Sequence, residues 1–139
     1  MPAATGVARW NLLATALAGR AVHVEPGDGP PWTDGRTIHL DPGTGRDDQL
    51  AAVAVQASLI AAGSLAPDVM AALVPRPVLG RRYLAVEGHR ALAANRDLLP
   101  RVARGLLDES VALAAGSASG SLRLARSRRA GADPPGVFG

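Results

Sequence analysis

The sequence predicts an α+β domain that is mostly helical, with a small β-sheet beside a buried central helix. The central helix is predicted because only three residues of the segment 49–62 are strongly polar, Gln49, Gln56 and Ser58, and a helix that is apolar nearly all round is buried. Two short segments, 21–25 and 37–40, alternate apolar and polar residues, as half-buried strands do. Only four of the 139 residues are aromatic, so Ala, Leu and Val must build the core, which favours close-packed helices.

The order of the remaining elements follows from turn and cap signals. The predicted elements are a helix at about 4–17, strands at 21–25 and 37–40, the central helix at 48–62, a short helix at 66–73, and helices at about 79–98 and 101–115. Gly19 and Gly63 stand just past two predicted helix ends, where glycine adopts the left-handed conformation of a C-cap. Asp47 or Asp48 is a candidate N-cap of the central helix. Residues 1–116 are predicted to form a single domain, and residues 117–139 an Arg-, Pro- and Gly-rich tail or the start of a linker.

Composition and charge exclude several classes of function. The chain has no Cys, so it has neither a disulfide framework nor a thiolate metal site. Its formal charge is +3, without the clustered basic residues of a dedicated nucleic-acid surface, which argues against a nucleic-acid partner. The N-terminus lacks the pattern of a signal peptide, and the longest apolar segment, 50–62, is shorter than the roughly 20 residues that span a bilayer. We therefore expect a cytoplasmic protein with no membrane partner.

Glu87 is the most informative single residue. At helical spacing it shares a stripe with Leu84, Ala91, Ala94 and Leu98, which predicts an inward-facing carboxylate. A buried carboxylate needs a partner, because an unpaired buried charge costs several kcal/mol. Arg90, at i+3, is the local candidate. Two interpretations follow: Glu87 forms a structural ion pair or is half exposed, or it is the surviving third ligand of a lost zinc site.

Other candidate residues give weaker signals. His23 and His39 lie on the faces of their strands opposite the aliphatic residues, so the two imidazoles can approach each other if the strands are neighbours, with Glu25 nearby. Ser58 lacks the glycines of a nucleophile elbow. The loop 43–45 lacks the lysine and the spacing of a phosphate-binding loop. The remaining cluster is basic and is predicted to be a solvated linker, with anion or partner binding as the alternative: Arg126, Arg128 and Arg129.

Three segments of the chain resemble a known family. They are residues 32–40 (WTDGRTIHL), the Ala-rich helix that ends in Gly63-Ser64-Leu65, and residues 83–90 (YLAVEGHR), which Leu99-Pro100 follow. In this order they resemble the N-terminal region of nitric oxide reductase activation proteins and of the related von Willebrand A-type subunits of aerobic cobaltochelatase. The resemblance covers residues 32–100, about half of the chain. It implies a zincin-like fold, which in some members carries an HExxH-like metal motif.

In this chain the implied metal motif is degenerate. Two His at i and i+4 bind zinc from one helix face, and the Glu beside the first acts as base, but Val55, Gln56 and Leu59 occupy those places. In the later acidic segment only Glu87 and Arg90 match, with Gly88 where Asp is common. The resemblance therefore implies a pseudoenzyme without catalytic residues, metal or cofactor. Three residues remain as candidates for relics of the site or for pocket-lining groups: Glu87, Arg90 and Gln56.

The function expected from this resemblance is that of a non-catalytic accessory or interaction domain. Its protein partner would be a MoxR-type AAA+ ATPase or a von Willebrand A domain, in a system that matures a metalloenzyme. The 139 residues contain no Asp-x-Ser-x-Ser motif of a von Willebrand A domain, and the segment 117–139 is expected to begin a linker towards one. One alternative is an active metal-dependent hydrolase with the atypical ligands His23, His39 and Glu87. Another is a small helical regulatory protein, unrelated to zincins, that recognises a partner or DNA.

Overall fold

The computed structural model describes residues 6–127 and Phe138, and within them it shows a mostly helical α+β architecture. The elements in chain order are a 3-10 turn at Gly6–Trp10, α1 (Asn11–Ala18), β1 (His23–Pro26), β2 (Trp32–Thr33), β3 (Thr37–Leu40), α2 (Arg46–Ala61), α3 (Pro67–Leu73), α4 (Pro77–Ala94), a 3-10 turn at Arg96–Leu98, α5 (Arg101–Arg104), α6 (Glu109–Ala112) and α7 (Ala118–Ser127). The predicted fold class, a small sheet beside a buried helix, is confirmed at this level.

The three strands form one sheet in the order β1-β3-β2. Strand β1 runs parallel to β3, and β2 runs antiparallel to it. The aliphatic residues of the two predicted strands, Val24, Ile38 and Leu40, are at most 3% exposed, while His23 and Glu25 face solvent. The alternation in the sequence thus separates a core face from an outer face. Strand β2 was not predicted, because two residues carry no periodicity.

Helix α2 is the centre of the domain. Eleven of its sixteen residues are buried, and it packs against α1, α4, α5 and β3. Gly63, with a φ of +72°, follows its end as predicted. The predicted Asp N-cap is wrong: Gly45 is the N-cap. Asp47 and Asp48 instead lie in the first turn, where carboxylates interact favourably with the positive end of the helix dipole.

Two predicted helices are shorter than the sequence indicated. Helix α4 ends at Ala94, so the predicted inward stripe fails at its C-terminal end, where Leu98 is 60% exposed. The predicted helix at 101–115 is divided into α5 and α6, because the chain leaves α5 at Gly105 and Asp108 caps α6. The Oδ1 atom of Asp108 accepts hydrogen bonds from the backbone N–H groups of Ser110 and Val111, at 3.0 and 3.3 Å.

Part of the segment predicted as a tail or linker start, residues 118–127, forms the helix α7. This helix packs against α4 and α3. Ser121, Leu122 and Ala125 are buried, and their spacing gives α7 one apolar face. Arg126 is exposed on this helix. Arg128, Arg129 and the Pro-rich segment 133–136 lie outside the described residues.

Phe138 is buried against α4. Its side chain is 1% exposed, and its ring meets the edge of the His89 imidazole with centroids 5.1 Å apart. Gly88 makes this approach possible: a Cβ atom at that position would lie 2.3 Å from Cδ2 of Phe138, far inside van der Waals contact. Because Gly88 has no side chain, the Phe138 ring occupies the space that a Cβ atom would take.

We predict that Gly88→Ala lowers the free energy of unfolding by about 2 kcal/mol, because the new methyl group displaces the buried Phe138 ring, and full burial of a phenylalanine contributes about 1.5–3 kcal/mol. The measurement is urea-induced unfolding followed by circular dichroism.

Two further variants make this test specific. Gly80→Ala in the same helix should stabilise the protein by up to about 1 kcal/mol, because its Cβ meets nothing within 4 Å and alanine favours helix over glycine. In a Phe138→Ala background, Gly88→Ala should lose its cost. An equal cost in both backgrounds would contradict the packing of Phe138 on Gly88.

Candidate functional site

The carboxylate of Glu87 lies at the centre of a buried polar network. Glu87 is completely buried, on the face of α4 that meets α2 and α7. Its partners come from three segments: Arg90 from α4 itself, Ser64 from the turn after α2, and Ser121 from α7. The ion pair that the i, i+3 spacing predicts is present, and the two serine hydroxyls extend it.

Both oxygens of Glu87 are fully engaged. Oε1 accepts hydrogen bonds from Nε of Arg90 at 2.6 Å and from the Ser121 hydroxyl at 2.8 Å. Oε2 accepts from Nη2 of Arg90 at 2.6 Å and from the Ser64 hydroxyl at 2.5 Å. A bidentate contact between a guanidinium and a carboxylate is among the strongest ion pairs that side chains form. Four donors for one carboxylate compensate the loss of its hydration.

The network continues into the backbone at the end of α2. Nη2 of Arg90 also donates to the carbonyl of Ala62 at 3.0 Å, and the Tyr83 hydroxyl donates to the carbonyl of Ser64 at 2.6 Å. Hydrogen bonds to Glu87 raise the pKa of Arg90, and burial raises the pKa of Tyr83 above its usual range. Both side chains therefore keep their protons and act as donors that fix the chain between α2 and α3.

The three helix positions that align with the zinc motif lie in the interior. Val55 and Leu59 are 0% and 2% exposed, and both belong to the main hydrophobic core. Gln56 is 2% exposed and lines a cavity together with Leu59. Two of the three positions thus carry side chains without a lone pair for a metal.

The histidines of the sheet are not brought to Glu87. His39 faces Glu25 across the parallel pair, and its imidazole stacks on the indole of Trp32 at 4.0 Å between ring centroids. Among residues 6–127 and Phe138, no group of three or more His, Asp or Glu side chains is placed to hold a metal ion. The alternative ligand set of His23, His39 and Glu87 is therefore not assembled.

Ser58 and the loop 41–45 form hydrogen bonds that stabilise the fold. Ser58 is completely buried, and its hydroxyl accepts a hydrogen bond from the Asn95 amide at 3.1 Å. In the loop 41–45, the Asp41 carboxylate accepts a hydrogen bond from the backbone N–H of Gly43 at 2.8 Å, which is the geometry of an Asx turn.

A cavity of about 230 Å³ lies beside the network. Of the described lining residues, Trp32 and Val74 are the most exposed, at 50% and 78%, and they mark its mouth. None of the described lining residues is charged. The lining residues are Trp32, Thr33, Gln56, Leu59, Ser64, Leu65, Met70, Leu73, Val74, Gly80, Tyr83, Leu84 and Phe138.

Ser64, Ser121 and Tyr83 were not predicted as partners of the network. Ser121 lies in the segment predicted to be a tail or the start of a linker, although the apolar residues at 118, 122 and 125 have a helical spacing. Ser64 and Tyr83 gave no signal of this kind, because a serine after a helix end and a tyrosine in a helix are common in any fold.

Comparison with known proteins gives no assignment: no family model, no curated protein and no solved structure matches this chain. None of the helices in the described part of the chain is long and apolar enough to cross a membrane.

We predict that Glu87→Gln lowers the free energy of unfolding by about 3 kcal/mol, because removal of one partner leaves the mostly buried guanidinium of Arg90 without its counter-charge. Ser64→Ala and Ser121→Ala should each cost about 1 kcal/mol, since each removes one hydrogen bond to the carboxylate. Chemical denaturation of the purified variants measures all three.

The matched control is an exposed ion pair. Arg96 and Glu109 pair on the surface, with side chains 52% and 60% exposed, so Glu109→Gln should change stability little. Equal effects at Glu87 and Glu109 would show that burial adds nothing to the network.

We predict that the protein loses stability as the pH falls from 7 through 6.5. Burial lowers the pKa of His89 below its ordinary value of 6.5, against the opposing effect of the Asp108 carboxylate. Nδ1 of His89 accepts a hydrogen bond from the backbone N–H of Asp108 at 3.0 Å. The unfolded chain therefore binds a proton that the folded chain resists, and acid favours unfolding. Urea midpoints at pH 7 and pH 5.5 measure the effect.

His89→Asn separates this effect from those of the other titrating groups. The asparagine amide oxygen can accept the same hydrogen bond and does not titrate, so the loss between pH 7 and pH 5.5 should shrink. Hydrogen bonds from Arg36 and Ser110 lower the pKa values of Asp34 and Asp108 below 3.8, so these carboxylates lose their contribution only in more acidic solution. An unchanged pH dependence in His89→Asn would assign the slope to another group.

Proposed function

We propose that this chain is a non-catalytic interaction domain with a degenerate zincin-like fold. The observation that carries the proposal is the engagement of Glu87. Both of its oxygens accept two hydrogen bonds each, and the side chain has no exposed surface. A general base must reach the proton that it removes, and a metal ligand must present a lone pair to the ion.

The residues around Glu87 support the same conclusion. Arg90 contacts both oxygens of the carboxylate at 2.6 Å, so neither oxygen is left open to a substrate. Val55 and Leu59 fill the interior where the zincin resemblance would place a ligand pair. In this proposal the former reaction centre has become a structural ion pair that joins α2, α4 and α7.

We further propose that the partner is a MoxR-type AAA+ ATPase or a von Willebrand A domain that acts in the maturation of a metalloenzyme. The support for this part is the resemblance of residues 32–100 to the N-terminal region of nitric oxide reductase activation proteins. The proposal of a non-catalytic domain does not depend on it.

The experiment combines a metal test with a binding test. Purified protein is titrated with zinc by calorimetry and assayed against a broad peptide library with added zinc. We expect no stoichiometric zinc and no chelator-sensitive cleavage. A MoxR-type ATPase and a von Willebrand A domain from the same cells are then mixed with the protein in analytical ultracentrifugation, where at least one should form a complex.

Each result has a separate meaning. One zinc per chain that is lost in Glu87→Ala, but kept in the control Glu109→Ala, would overturn the non-catalytic assignment. Failure of both candidate partners to bind would overturn the maturation assignment alone.

A further inference from the structure

The aromatic residues of this chain are concentrated at one place. The sequence contains only four of them, two Trp, one Tyr and one Phe. Three of the four, Trp32, Tyr83 and Phe138, line the same cavity, although they are far apart in the sequence. The fold thus places three of its four aromatic side chains around a space that none of them fills.

The size and chemistry of the cavity limit what can occupy it. An apolar cavity of about 150 Å³ in another protein stays dry and binds benzene, so a volume of about 230 Å³ accommodates a somewhat larger ring system. The part of the lining that the structure describes contains no charged side chain, and against it a charged ligand would lose its hydration without compensation. The occupant is therefore neutral and mostly apolar.

Several polar groups on the wall already have partners. The Tyr83 hydroxyl donates to the Ser64 carbonyl, and the Ser64 hydroxyl donates to Glu87. The Thr33 hydroxyl donates to the carbonyl of Thr37 at 2.7 Å. These three hydroxyl groups already donate their hydrogen bonds to protein atoms, so the wall favours a ligand that makes few hydrogen bonds.

Trp32 provides a flat surface at the mouth. Its indole stacks on the His39 imidazole with an angle of 15° between the ring planes, which supports the ring in a fixed orientation. The side chain is nevertheless 50% exposed and lines the cavity. A supported aromatic ring with open surface favours stacking or edge contact with another aromatic ring.

We propose that this cavity binds a small neutral molecule built on one or two fused aromatic rings. Segments from β2, the end of α2, α3 and α4, together with Phe138, surround the space, as in a pocket for a small molecule. The proposal goes beyond the interaction function and is independent of it, because it requires neither zinc nor a protein partner.

The test uses three probes of nearly equal size. These are 2-naphthol, its saturated counterpart decahydro-2-naphthol, and the anion 2-naphthoate, each titrated at pH 7 into the purified protein by calorimetry and by amide NMR. We expect 2-naphthol to bind with one-to-one stoichiometry. The saturated alcohol should bind about three- to tenfold more weakly, since it lacks aromatic contacts, and 2-naphthoate should bind more than about tenfold more weakly, since its charge must be desolvated.

Two variants locate the binding. Gly80→Phe should abolish binding: Gly80 lines the cavity and its Cβ would meet nothing within 4 Å, so the new ring enters open space without displacing backbone. Gly80→Ala is the matched control and should bind nearly as the original chain does. Trp32→Ala should weaken 2-naphthol at least about tenfold while the fold remains, because this side chain is half exposed.

Three outcomes would overturn the proposal. They are no binding of 2-naphthol, unchanged binding of 2-naphthol in Gly80→Phe, and equal binding of the saturated alcohol. Zinc binding by the protein would leave the naphthol result unaffected, so failure here is distinguishable from failure of the proposed function.

Discussion

The ion pair between Glu87 and Arg90 lies where α4, the turn after α2 and α7 meet, and it fixes these three segments to one another. A carboxylate without exposed surface is tolerated only when its hydrogen-bonding capacity is used, and here the four donors come from α4, from the turn after α2 and from α7. The same guanidinium donates to the carbonyl of Ala62, directly after α2. Loss of the pair would therefore weaken the attachment of three segments at once. The position of α7 follows from the bond of Ser121 to Glu87 and from the buried residues Leu122 and Ala125 beside it. From the sequence, this segment was predicted to be a tail or linker.

The sheet and the central helix were predictable because their patterns are local. Alternation at residues 37–40 and the nearly continuous apolar run after Asp48 each indicate one structure, and the glycines at 19 and 63 mark helix ends. The breaks at Ala94 and Gly105 were not predictable from periodicity. At these points the helix ends depend on competing local hydrogen bonds, such as those that Asp108 accepts at the start of α6. Such contacts shift a helix boundary without changing the hydrophobic pattern.

The candidate site was predictable only in part, and the division has a physical reason. Glu87 and Arg90 are one helical turn apart, so their pairing is encoded within α4. Ser64 and Ser121 are 23 and 34 residues from Glu87 along the chain. A serine hydroxyl can bond to many different partners, so the sequence does not indicate that these two serines bind Glu87. The cavity was not predictable from the sequence, because its walls come from segments that are far apart along the chain. One of them, Phe138, packs against α4 at the place where Gly88 has no side chain.

The shortest strand has a dynamic consequence. Strand β2 contains only Trp32 and Thr33 and pairs at the edge of the sheet through two positions. An edge of this length opens locally at a small fraction of the free energy that global unfolding requires. Since Trp32 stands on that edge and at the mouth of the cavity, local opening of β2 would widen the entrance on that side without unfolding the helices behind it. Exchange of molecules with the interior would then follow the breathing of the sheet edge and not the stability of the protein as a whole.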